Sequence, residues 1–136
     1  MKERWIAILG CLGSAVAGAF GGWDASLTAL VATMAVDYIS GSLVALVFGR
    51  SRHSETGAYT SAYGFKGLCK KGMVLAMVLL GARLDAVLGF DYIRDAVCIG
   101  FLANELMSIV ENAGLMGLPL PKAVTKAIEQ LQSKAE

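Results

Sequence analysis

Apolar residues run through this chain in long blocks, not in the alternation of a half-buried strand or the narrow stripe of a soluble surface helix. Trp5 to Gly22 contains no charged residue, a length sufficient to span a bilayer. Ala25 to Phe48 follows after the short turn Trp23-Asp24 and is interrupted by one charge, Asp37. Met73 to Phe90 is a third block, carrying Arg83 and Asp85, and Ile93 to Val110 is a fourth, with Glu105 inside it. These blocks predict an all-α, polytopic membrane protein forming a single membrane domain over 1–136. Four transmembrane helices, at about 5–22, 25–48, 73–90 and 93–110, pair as two hairpins. A loop over 49–72 joins the hairpins, and a short amphipathic helix over 121–136 closes the chain.

Two blocks admit a second reading. Lys2 and Arg4 ahead of the first, with Ala15-Val-Ala17 inside it, fit a secretory leader. A span is favoured because the apolar run continues past that site and another follows directly. The fourth block carries enough polar residues to lie in the membrane interface instead of crossing.

Composition sets the solvent in which the pattern is read. Hydrophobic residues make up 56% of the chain and charged ones 17%, with mean hydropathy +0.60, well beyond ordinary soluble usage. A net charge of +1 gives no reason to expect nucleic acid as a partner. Cys11, Cys69 and Cys98 form no CxxC pair, and His53 cannot complete a metal site by itself, so no metal or other cofactor is implied. The cysteines read as small buried or lipid-facing residues.

In such a chain the polar positions inside apolar blocks carry the information. Asp37 near the middle of the second block costs about 2.5 to 3.5 kcal/mol on insertion scales. It is either a structural acid held by a partner or an acid lining a pore. In the third block, nine residues of the Leu, Ile, Val and Phe type at about −0.3 to −0.6 kcal/mol each do not offset Arg83 and Asp85, at about +5 to +7 together. The block is therefore expected to enter the membrane as a hairpin with the fourth, with Arg83 satisfied by one of Asp37, Asp85 or Glu105. Toward the end of the fourth block, Asn104, Ser108 and Glu111 fall at i, i+4 and i+7, and Glu105, Ser108 and Asn112 at i, i+3 and i+7, giving one polar face. Gly10, Ser14, Gly18 and Gly22 make a row of small residues at four-residue spacing, and Gly41 belongs to a similar row around Asp37. Such rows allow close helix approach in lipid, within one molecule or between copies.

Arg50, Arg52, Lys66, Lys70 and Lys71 stand against Glu55 in the central loop, which places that loop in the cytoplasm by the positive-inside rule. Gly64 to Lys71 suits a short basic segment at the headgroups. Lys122, Lys126 and Lys134 put the amphipathic tail on the same side, at the lipid surface or against another copy. Both termini are then cytoplasmic. Catalysis finds no support, since no glycine-rich phosphate loop, GxSxG or HExxH is present.

The Asp37-Tyr-Ile-Ser-Gly41 segment, Gly67-Leu-Cys-Lys-Lys71, Leu84-Asp85, Asn104-Glu105, Ser108-Ile109, Glu111-Asn112 and Gly117-Leu-Pro119-Leu-Pro121 together resemble the phage lysis and toxin-secretion holin family. The resemblance covers the chain from about Gly21 onward, and NExxSIxEN followed by GxPxP is its most specific part. It implies a small protein of the bacterial cytoplasmic membrane that homo-oligomerises in the lipid bilayer. The resulting lesion would release an endolysin or a toxin. On that reading Asp37, Arg83, Asp85, Asn104, Glu105, Ser108, Glu111 and Asn112 are pore-lining or inter-helix polar residues, and Gly10, Ser14, Gly18, Gly22 and Gly41 pack the oligomer. A small ion or solute channel, and a non-conducting scaffold or holin antagonist, use the same features and remain the alternatives.

Overall fold

The computed structural model describes residues 1–51 and 56–135, which fold as an all-α protein with no strand among them. Arg52, His53 and Glu55 of the central loop lie outside the described residues.

Helix α1, Lys2–Ala19, ends at a turn in which Gly21 and Gly22 take φ of 80° and 101°, conformations in which a Cβ is strained. Gly22 therefore lies beyond the helix and off the row formed by Gly10, Ser14 and Gly18. Helix α2, Ala25–Leu43, starts where the Asp24 carboxylate accepts the Leu27 amide at 3.0 Å, a capping geometry that satisfies an orphan donor. It continues as a π turn, Val44–Phe48, closed by Gly49 in the left-handed conformation.

Helix α3, Ser61–Leu88, is longer than the apolar pattern indicates. Thr60 caps it by accepting the Tyr63 amide at 3.1 Å, so the stretch from Gly64 to Lys71 is the first third of a helix and not a separate interfacial segment. The reason lies on its inner face, where Gly64, Gly67 and Lys71 continue the spacing of Val74 and Val78. The Tyr38 ring lies where a Gly67 Cβ would meet it at 3.4 Å, so the absent side chain makes room for α2.

Helix α4, Ile93–Leu115, is started from α3: the Asp85 carboxylate accepts the amides of Ile93 and Arg94, both at 3.0 Å. Helix α5, Lys122–Ala135, folds back on α4 and buries Ile128. The expected amphipathic tail is thus present as a helix, with Ile128 on its own chain and Ala123, Val124 and Ala127 exposed.

Helices α2, α3 and α4 form a three-helix bundle, α3 running opposite to the other two. Leu27, Leu30 and Met34 from α2, Val78 from α3 and Cys98 from α4 make the core. Gly81 brings α3 onto α4, since a Cβ there would lie 3.1 Å from the Arg94 Cα. Helix α1 stands apart with no buried residue, touching the bundle near its C-terminus.

The distribution of polarity is the reverse of that in a water-soluble bundle. Ile39, Leu46, Val47 and Val87 are exposed on the outside, whereas Arg94, Glu105 and Asn112 are buried, and it is this combination that signals an apolar solvent. Among the described residues, only Ala25–Phe48 is long and apolar enough to cross a membrane unaided. The other three helices of the expected spans all include charged residues, those of α1 lying ahead of its uncharged run. Lys2, Glu3 and Arg4 belong to α1, Lys70, Lys71, Arg83 and Asp85 to α3, and Arg94, Asp95, Glu105 and Glu111 to α4.

Candidate functional site

At about 18 Å along both α2 and α4 from their first residues, roughly half the length of α2 with its π turn, the bundle holds a charge cluster. The Lys71 ammonium donates to Asp37 Oδ2 and to Glu105 Oε2, each at 2.7 Å. All three side chains are at least four-fifths shielded from solvent. Asn112 extends the cluster, its amide donating to the Ser40 hydroxyl at 2.9 Å and to Asp37 Oδ1 at 3.3 Å. Each helix thus contributes one charge to the centre: an acid from α2, the base from α3, an acid from α4. Two carboxylates sharing one ammonium hold the helices in register, because an unpaired charge at this depth is costly.

The cluster forms the floor of a cavity of about 940 Å³ between the three helices. Tyr38, Tyr63, Asn104 and Ser108 line its walls, with Lys66 and Lys70 toward the α3 N-terminus. Gly41 faces into it, where a Cβ would meet the Tyr63 hydroxyl at 2.9 Å. The missing side chain at Gly41 is therefore used within the molecule.

A second cluster lies at the opposite end of the bundle, where α1 turns into α2. The buried Arg94 guanidinium donates to Asp24 Oδ2 at 2.7 Å and Oδ1 at 3.1 Å, to Asp95 at 3.1 Å, and to the carbonyls of Gly22, at 2.8 Å, and Phe20. This clasp ties the α1–α2 turn to the start of α4. The guanidinium, by hydrogen bonding, holds the Asp24 carboxyl below its ordinary range.

The polar positions singled out from sequence separate into distinct groups. Asp37, Glu105 and Asn112 meet in the central cluster, and Asn104 and Ser108 line its cavity. Glu111 is exposed beside them. Among the described residues Arg83 does not pair with an acid: it is exposed and donates to the Gly18 carbonyl at 3.2 Å, joining α3 to the end of α1. Asp85 caps α4. The base that pairs with Asp37 and Glu105 is not Arg83 but Lys71, counted in sequence as a loop residue, and Arg94 carried no expectation at all. The signal for Lys71 was its place on the α3 inner face, four residues from Gly67 and three from Val74.

The chain belongs to the bacteriophage holin family, whose pattern matches residues 14–133. It is similar to an uncharacterized protein of Listeria innocua, 36% identical over 131 residues that make up 96% of this chain and 87% of the relative. An uncharacterized protein of Halalkalibacterium halodurans is 34% identical over 135 residues, 95% of this chain and 93% of the relative. An uncharacterized 14.9 kDa protein of Clostridium perfringens is 30% identical over 125 residues, 90% and 89% of the two chains. No solved structure matches this chain. The family makes this a holin-like membrane protein.

Proposed function

We propose that the chain is a holin that inserts in the bacterial cytoplasmic membrane with α1, α2, α3 and α4 crossing it. Both termini and the central loop are cytoplasmic. Copies assemble into a lesion that releases a muralytic enzyme or a toxin, and the chain itself is not an enzyme. Membership of the bacteriophage holin family carries this reading.

Two features of the molecule support it. First, one chain pairs both of its mid-depth acids with Lys71, which suits a protein that accumulates in lipid without leak. Mutual shielding by neighbouring copies is not needed for that. Second, α1 buries nothing within the chain, and a Cβ at Gly10 or Gly18 meets no other atom within 4 Å. The row Gly10, Ser14 and Gly18 is thereby left for contact between copies, where small residues allow close packing in lipid. The face bearing Asn104, Ser108 and Glu111 then offers the assembled lesion a polar wall.

Inducible expression in a bacterium, with and without a co-expressed muralytic enzyme, tests the proposal. Abrupt lysis and release of a cytoplasmic reporter enzyme when both are present are expected. Loss of small ions with the reporter retained identifies a channel instead, and intact envelopes identify a non-conducting scaffold or antagonist.

A further inference from the structure

The central cavity continues sideways into a shallower apolar groove between α3 and α4. Both share Phe101 and Asn104, and Met77, Val97 and Gly100 line the apolar part. The combined space is polar and basic at one end and apolar at the other. At the basic end Lys66 and Lys70 are both exposed, and a four-residue spacing puts them on one face of α3. No hydrogen bond or ion pair ties either one down among the described residues. The acids at the floor are both turned onto Lys71, which lies about 7.5 Å deeper along α3 than Lys66 and about 100° around the helix from Lys70.

We infer that this groove binds an anionic phospholipid, its phosphate between Lys66 and Lys70 and one acyl chain along Phe101, Gly100 and Val97. The inference rests on the membrane placement proposed above. Charge complementarity selects the occupant: basic pockets between helices on the cytoplasmic side of a membrane favour anionic headgroups. An apolar groove opening below such a pocket suits the chain attached to that headgroup. A lipid held there fills the side of the bundle that is otherwise open between α3 and α4, so it seals the cavity while the chain is dispersed.

The test uses the full chain, purified in detergent and offered phosphatidylglycerol against phosphatidylcholine, with retained lipid counted by native mass spectrometry. Phosphatidylglycerol should be preferred. Lys66→Gln and Lys70→Gln should each lower the preference about fivefold, and the pair about thirtyfold. Gly100→Leu, at a position with no atom within 4 Å of a new Cβ, should fill the apolar groove and reduce retention of both lipids without loss of helix content. Inorganic phosphate should not displace the lipid. Equal retention of the two lipids, an unchanged preference in the double variant, or displacement by phosphate alone overturns the inference. So does cross-linking that finds a second copy's helix in the groove. A chain that prefers phosphatidylglycerol yet never breaches an envelope contradicts the lesion and leaves this site standing, and lysis without lipid preference does the reverse.

Discussion

Removing the ammonium at position 71 alone should damage the bundle far more than removing it together with the charges it neutralises. In Lys71→Met the aliphatic stem is largely kept, but Asp37 and Glu105, each 2.7 Å from Nζ in the parent, face each other uncompensated. Breaking a buried ion pair from one side costs about 3–5 kcal/mol, most of it the penalty of the stranded charge. Lys126→Met at an exposed position on α5 sets the baseline, within about 0.5 kcal/mol of the parent. Replacing all three groups, as Asp37→Asn, Glu105→Gln and Lys71→Met, removes both the attraction and the desolvation penalty. That variant should recover most of the loss. Equilibrium unfolding in mixed micelles, followed by circular dichroism, gives the order: parent and Lys126→Met highest, the triple variant next, Lys71→Met lowest. A Lys71→Met protein within about 1 kcal/mol of the parent, or a triple variant less stable than the single one, would refute the reasoning.

Three further outcomes follow from the same geometry. Gly81→Ala should destabilise by about 1–3 kcal/mol, because its Cβ meets the α4 backbone at Arg94, whereas Gly41→Ala meets the end of the Tyr63 side chain and should cost much less; thermal unfolding of the two compares them directly. Gly18→Leu should leave insertion and helix content unchanged, since Gly18 has open space around it, but block lysis; lysis on the normal schedule would remove α1 as the contact between copies. Arg94 lowers the pKa of Asp24 in the fold, so this pair's contribution is complete above the unfolded carboxylate value of about 3.9 and is lost as pH falls through the folded value. Asp24→Asn should therefore flatten the acid limb of a stability-against-pH curve, modestly and less in high salt, because the carboxylate is half exposed.

The sequence made the helices legible and their partners much less so. The block from Ala25 to Phe48 and the amphipathic tail both appear as helices, since periodicity and length are local properties. The start of α3 was hidden because Gly64, Gly67, Lys70 and Lys71 have loop-like composition, and only packing against Tyr38 and the two acids explains a helix there. Likewise Arg83 drew the pairing expected of a buried base because it sits in an apolar block, yet its place on the outside of α3 leaves it to the Gly18 carbonyl. Which of several charges meet is decided by helix rotation, which residue spacing within one helix does not fix between helices. Asp37, Glu105 and Asn112 were identifiable because each is a polar residue in an apolar run, whereas Lys71 stands at the run's edge.

The most direct measurement is release from vesicles containing the purified chain and loaded with both a small dye and a folded enzyme. Both should escape once protein density passes a threshold, with little leak below it, because a single chain pairs Asp37 and Glu105 with Lys71 and only assembled copies open a wall to water. Escape of the dye alone at every density, or no escape at any, would contradict it.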